Sequence, residues 1–389
     1  MKLPDGWKQT KLSEIGTFSK GSGIKREESN SGCIPAVRYG EIYTDHDEYI
    51  KQFHSFISES VAKEAVLLKK GDLLFSCSGE TKEDIGKCVA FVSDVSAYAG
   101  GDIIILSPHV ECDSQYLGFL LNSYEINKQR YRYAQGDSIV HISSESLGKL
   151  QVALPPLPEQ QKIARILSAQ DKVILLKQKL LQEKQRQKKY LMRKLLSQDG
   201  ASFTLCGTTI DKCGWKKEKF ENIFKKFITQ KHSIQSLDYL NKGKIPIIDQ
   251  GQKFIVGFTN DETAINQCPA NGVIVFGDHT RIFKFIKFDF AIGADGTQLL
   301  ELKIADDIKF FYYSLCNLKL PNDGYGRHFK YLKEFSFFRP ALPEQRAIVQ
   351  VLSAADKEIE LLQKSIEQEK QKKKALMQLL LTGTVRVKI

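Results

Sequence analysis

The sequence predicts an α+β fold built twice over: a globule of mixed strands and helices, a long helix, a second such globule and a second long helix. Three observations predict it. The stretch Leu157-Pro158-Glu159-Gln160 recurs as Leu342-Pro343-Glu344-Gln345, and the segments they open align without a gap at a constant offset of 185 residues. Over that alignment roughly 20 of about 41 positions are identical, which marks a duplicated architecture. Both copies carry apolar residues on alternating steps of four and three, and both are preceded by short apolar runs separated by Gly and Asp turns. At 389 residues the chain exceeds one ordinary domain. The division predicted is 1–156, 157–199, 200–340 and 341–389, the last ending in a short tail.

Residues 1–156 open with Gly6-Trp7-Lys8 and a cationic Gly/Ser loop from Ser19 to Arg26. Ile34–Ile42 reads as a short strand and turn. Val66-Leu67-Leu68 and Leu73-Leu74-Phe75, around Lys70-Gly71-Asp72, read as a hairpin or two successive strands. Val89–Val92 and Ile103–Leu106 add strands, and short helices are expected near 115–121 and 126–132. Residues 200–340 repeat the plan with different content. Gly214-Trp215-Lys216 echoes the opening, Ile245-Pro246-Ile247-Ile248 echoes Ile34-Pro35-Ala36-Val37, and Gly272–Phe276 stands where Gly71–Phe75 stands.

Each LPEQ segment reads as one helix. Proline suits a first turn, where its missing N–H costs nothing, and Glu159 and Glu344 favour the positive helix end. The seam of the second helix runs Ile348, Leu352, Ala355, Ile359, Leu362, Ile366, Leu376, Leu380. In the first it runs Ile163, Leu167, Gln170, Ile174, Lys177, Leu181, Lys184, Lys188, Leu191, Leu195. Polar residues interrupt both seams midway. An apolar stripe ordinarily packs a helix on its own domain. Two copies in one chain favour pairing with each other, as an antiparallel coiled coil with internal pseudo-two-fold symmetry.

Composition narrows the function classes. Hydrophobic content of 42% supports real cores. No apolar run nears the roughly 18 residues of a membrane helix, and MKLPDGWKQT lacks a signal-peptide core. The eight cysteines form no CxxC pair, so reduced thiols and a cytoplasmic setting are expected. Net charge is +11, spread unevenly: residues 1–155 carry 17 Lys+Arg against 21 Asp+Glu, whereas 156–200 carry 11 against 4. A basic chain suggests a polyanion, though lysines on long helices also serve as a solvated face.

The repeated helices, their ends KKYLMRKLLS and KKKALMQLLLTG, and the Trp-led start of each globule carry a resemblance. So do Ile34–Thr44, Phe276-Gly277-Asp278-His279-Thr280 and Gly326–Lys330. Over essentially its whole length the chain resembles the specificity (S) subunit of type I restriction-modification enzymes. That resemblance implies two target-recognition domains, each reading half of a split double-stranded DNA site. It implies an antiparallel helical spacer, docking of two methyltransferase (M) subunits and recruitment of restriction (R) subunits. No cofactor is then expected in this chain, with S-adenosylmethionine, ATP and Mg in the partner subunits. A rigid helical pair about 50 Å long could hold two readers roughly one turn of B-DNA apart, ~34–36 Å. Because the two globules differ, so should the half-sites. The competing readings are a coiled-coil scaffold and a DNA-binding regulator without such partners.

Candidate DNA contacts in the first globule are Lys20, Lys25 and Arg26 for phosphates, with Arg38, Tyr39, Lys82, Arg130, Arg132, Gln135 and His141 for phosphate or base. In the second they are Lys231, His232, Gln250, Gln252, His279, Arg281, Arg327, His328 and Lys330. Arg and Lys can bridge guanine O6/N7 and Gln can bridge adenine N6/N7, while phosphate contacts carry most of the affinity. Catalytic patterns are weak. Asp72, Glu80 and Lys82 imitate a nuclease D-x7-ExK, but a Gly precedes the Asp and Gly272–Thr280 has no ExK. LPPLP is not an amino-methyltransferase motif, and no HExxH or zinc-spaced set occurs.

Overall fold

The computed structural model describes residues 3–79, 85–134, 140–198, 202–229, 231–293, 296–322, 324 and 326–389. The chain folds into two compact units, Met1–Gln178 with Ser365–Ile389, and Lys179–Lys364. The two long helices span Leu157–Leu196 and Leu342–Leu381. Each unit therefore holds one globule, the opening half of the helix that follows it and the closing half of the other helix. These units cut across the linear globule–helix–globule–helix order.

Within each unit the same architecture appears. In the first, an antiparallel sheet runs Gly16–Lys20, Ile103–Pro108, Leu73–Ser76, Cys88–Ala90. In the second, the matching sheet runs Phe224–Lys226, Thr297–Leu302, Val273–Gly277, Phe283–Ile286. A smaller sheet beside each is built on Ile34–Val37 or Ile245–Ile248. Each of these pairs in parallel with a two-residue strand, Tyr98–Ala99 or Ala291–Ile292. The strand Lys8–Lys11 zips to Gln151–Leu154, and Lys216–Lys219 zips to Ser336–Arg339, so each globule closes start to end just before its long helix. Val66–Leu67 and Leu73–Ser76 lie in different sheets, hence are successive strands and not a hairpin. The turn expected after Ile34–Val37 is a short helix, Tyr39–Thr44. Glu41, buried within it, accepts from the Arg38 N–H and from Ser55, and so winds the segment inward.

One face of each main sheet packs on the helices. Ile163, Ala164 and Leu167 join Leu380 and Leu381 in the core that contains Leu73, Phe75, Ile104 and Leu117. Met192, Leu195 and Leu196 join Ala347, Ile348 and Leu352 in the core that contains Ile274, Phe276 and Leu300. Such side chains contribute roughly 1.5–3 kcal/mol each when buried, so the seam ends are anchored by the globules.

The LPEQ motif is the latch. The Trp7 Nε1–H donates to Glu159 at 3.3 Å, and the Trp215 Nε1–H donates to Glu344 at 3.2 Å. Gln160 accepts from the Asp113 N–H at 3.0 Å and donates to the Pro155 carbonyl at 2.8 Å. Gln345 accepts from the Asp307 N–H at 2.9 Å and donates to the Pro340 carbonyl at 2.9 Å. Asp113 and Asp307 in turn cap the helices Ser114–Leu121 and Ile308–Cys316.

The helices run antiparallel in both units. In the first, Gln170 meets Glu369 at 2.7 Å, and the Lys177 ammonium meets Ser365 at 2.8 Å and Glu369 at 2.7 Å. In the second, Lys184 pairs with Glu358 at 2.7 Å and Lys188 pairs with Asp356. The polar seam positions thus find opposite partners across the pair. Lys373, the repeat counterpart of Lys188, meets Asp171 at 2.7 Å and Glu48 at 2.7 Å. Each of these two lysines also lies over an aromatic ring of its own globule: Lys373 is 5.4 Å from the Phe119 centroid, and Lys188 is 5.6 Å from that of Tyr313. None of the helices is long and apolar enough to cross a membrane, among the described residues.

Candidate nucleic-acid interface

In the second unit four loops converge at one end of the main sheet. Asp278, just past Val273–Gly277, is buried and gathers them. Its carboxylate accepts from the Phe329 N–H at 2.7 Å, and its carbonyl accepts from the His328 N–H at 3.0 Å. The His328 Nδ1 lies 2.8 Å from the same carbonyl, so that nitrogen carries its proton. The Gln250 side-chain carbonyl accepts from the His279 N–H at 3.2 Å, and the Thr280 hydroxyl donates to the Gln250 main chain at 2.5 Å. Gly296 closes the ring with φ +87°, where a Cβ would stand 2.8 Å from the His279 ring and 2.9 Å from the Gln250 amide. Arg281 adopts φ +60°, a left-handed geometry that costs a non-glycine residue roughly 1–2 kcal/mol. Its N–H bonds the Gly277 carbonyl at 2.7 Å and its guanidinium reaches the Pro321 carbonyl at 3.4 Å. Gln250, His279 and Arg281, with exposed Arg327, are thereby brought onto adjoining loops, and exposed Lys330 follows on the short helix Phe329–Leu332.

The first unit uses the same scaffold. Ile142 N–H bonds the Cys77 carbonyl at 3.1 Å, as His328 N–H bonds that of Asp278. This sets His141 where the second unit has Arg327, and Ser78 where it has His279. The His141 Nδ1 lies 3.1 Å from the Ser78 hydroxyl, and the Tyr43 hydroxyl donates to the Ser78 carbonyl. Arg38 and exposed Tyr39 begin the neighbouring short helix.

The remaining candidates scatter. Lys20, Lys25, Arg26, Arg132, Lys231 and Gln252 are exposed. His232 is exposed and held 2.9 Å from Asp261. Two candidates are structural instead. Arg130 is 3% exposed and donates inward to the Gly86 carbonyl and Asn127, and His328 is 0% exposed beneath Asp278. Neither presents a donor to a groove, because both side chains are enclosed by their own globule and bonded inward. Lys82 and Gln135 lie outside the described residues. Asp72 of the nuclease-like pattern is also structural: it accepts from the Lys69 N–H at 2.7 Å and the Ser107 hydroxyl at 2.7 Å. Glu80, its companion, is outside the described residues. No group of three or more His, Cys, Asp or Glu with metal-holding geometry occurs among the described residues.

Sequence reasoning missed two residues that support these loops. Lys284 is buried on the main sheet, and its ammonium donates to the carbonyls of Asp249 at 2.8 Å and Lys253 at 2.5 Å. Burial pushes its pKa down. Lys87 donates to the carbonyls of His46 at 2.6 Å and Tyr43 at 3.3 Å.

Comparison with known proteins bears on what this scaffold is. The chain is 26% identical over 413 residues to the MjaX specificity subunit of a type I restriction enzyme from Methanocaldococcus jannaschii, covering 100% of this chain and 95% of that protein. It is 22% identical over 432 residues to the type I restriction enzyme MjaVIII specificity subunit of the same organism, again covering 100% and 95%. Among solved structures, the type I restriction-modification S subunit from M. genitalium superposes with a TM-score of 0.62 over 98% of each chain at 15% identity, a likeness of fold. Residues 4–185 and 212–371 match the family described as type I restriction modification DNA specificity domain. With two such matches spanning most of its length, the chain belongs to that DNA specificity family.

Proposed function

We propose that this chain reads a two-part, asymmetric double-stranded DNA site, one half with each globule, and that other chains perform the chemistry. The observation that carries this reading is a repeated scaffold with unlike side chains at matching loop positions: His141 against Arg327, Ser78 against His279. A repeated frame gives two readers, and unlike side chains give them different targets, because direct readout depends on the donor and acceptor set offered to each base edge. The helix surfaces left outside the seam dock two methyltransferase subunits, and restriction subunits join that core. S-adenosylmethionine, ATP and Mg belong to those partners.

Mapping methylated adenines across the host genome tests the proposal. The expected result is a motif of two unlike specified blocks separated by a fixed unspecified gap. A single uninterrupted block, or a palindrome, would refute it. Binding to random duplex gives an independent check. Affinity should fall linearly on a log–log plot against salt, by a slope of about 0.9 per phosphate contact, whereas a flat response fits a protein-binding scaffold.

A further inference from the structure

The two lysines that sequence reasoning missed occupy comparable places in two unlike globules. Lys284 stands opposite Val275 on the ladder between Val273–Gly277 and Phe283–Ile286. It shares a sheet face with Ile286, in the region where Val273, Val275, Ile286 and Leu299 form an apolar core free of long-helix residues. Lys87 precedes Cys88–Ala90, the matching strand of the first globule, and shares a face with Val89, part of the corresponding core. On that face an apolar residue would pack without the desolvation that a lysine incurs. Both ammonium groups are aimed at main-chain carbonyls of the segment that follows the matching inner strand. After Ile34–Val37 that segment is 38–46, held through Tyr43 and His46. After Ile245–Ile248 it is 249–253, held through Asp249 and Lys253, with an Asp249 carboxylate oxygen 3.7 Å away. The two lysines are not one aligned position: Lys284 opposes a residue well inside its ladder, whereas Lys87 lies at the end of its own. The same clamp has been built from different strand positions, although the surrounding sequences diverge.

The clamped segments are the ones that carry Arg38 and Tyr39 in the first globule and Gln250 and Gln252 in the second. We infer that Lys87 and Lys284 are positioning residues for base reading, each fixing the main chain of one reading segment and so the register of the side chains it presents to one half-site. This inference rests on the two-part reading proposed above. An ammonium bonded to two carbonyls four or fewer residues apart holds a loop without contributing a side chain to its outer surface. The outer residues are then free to differ between relatives while the support stays in place.

The test replaces the host's chain with full-length Lys87→Met and Lys284→Met variants and maps methylated adenines genome-wide. Half-sites are assigned to globules by exchanging residues 201–340. Lys87→Met should raise methylation at sites mismatched in the first globule's block by roughly tenfold, the discrimination that one misplaced base contact forfeits, and leave the other block intact. Lys284→Met should do the converse. Should either Met variant fail to accumulate, Lys87→Leu or Lys284→Leu, which likewise removes the donor and suits the apolar face, is read by the same criteria. Unchanged stringency in both blocks, or equal relaxation of both by either variant, overturns the inference while a two-part wild-type motif still stands. A wild-type pattern that is not two-part overturns the underlying reading and this inference with it.

Discussion

At the level of single residues, burial decides which charges matter. Lys373 is 13% exposed between Glu48 at 11% and Asp171 at 5%. Lys373→Met would strand buried Glu48 and leave Asp171 only the more distant Lys51, at 3.8 Å, and should cost about 3 kcal/mol in the first unit. The counterpart Lys188→Met should cost only about 1 kcal/mol, because Asp356 is more than a third exposed and solvent screens it. Hydrogen exchange of the core strands of each unit separates the two effects. His46 offers a pH test. It is buried, its Nε2 has no hydrogen-bond partner among the described residues, and burial, helped by the nearby His54, pushes its pKa from the ordinary 6.5 down to about 4. Between those values the unfolded chain binds a proton that the folded chain refuses, so stability falls as pH drops through that window. Glu41 and Glu48, whose pKa values burial raises, act in the opposite sense, but they are common to wild type and variant. His46→Phe should therefore flatten the acid limb relative to wild type in denaturant titrations at pH 7 and pH 4.5. The role of Lys284 was hidden in the sequence because Phe283-Lys284-Phe285 alternates, and alternation places a lysine on the wet side of a strand. Here both sheet faces are covered.

At the level of elements, the long helices were the most legible part of the sequence. Repetition, proline and the seam spacing located them, since long periodic segments leave little competition from tertiary context. The seam residues named from spacing are buried or half-buried along both helices. The interruptions were harder to read, because Lys177, Lys184 and Lys188 look like seam defects until Glu369, Glu358 and Asp356 are seen opposite them. Leu362 is half-buried in this seam. Leu362→Asp should destabilise the second unit by roughly 1–3 kcal/mol, seen as a lower melting midpoint, and should weaken co-purification with methyltransferase subunits. The short helix Tyr39–Thr44 was not legible, because its winding depends on a buried Glu41 whose partner, Ser55, lies on another strand.

At the level of the whole molecule, the repeated plan was legible from Trp7 and Trp215 and from the two LPEQ latches, whereas the reading surface was only partly so. Spacing cannot tell an arginine that faces solvent from one turned inward, and Arg130 and His328 turn inward. If each globule reads alone, replacing residues 201–340 with the same region of another family member should change one block of the methylated motif and leave the other as it was. Genome-wide methylation mapping reads this directly, and change in both blocks would contradict independent reading.

The make-up of the two units also bears on how the chain is assembled in time. The second unit, Lys179–Lys364, is one unbroken stretch, whereas the first lacks Lys373, Leu380, Leu381 and Arg386 until residues 365–389 emerge. Arg386 forms a two-pronged pair with Glu159 at 2.7 Å on each arm, and Glu159 has no comparable cation to replace it among its described partners. During synthesis the usual order, amino-terminal part first, is therefore reversed between the two units: the first is completed by residues 365–389, which are made after every residue of the second, so the second can close before it.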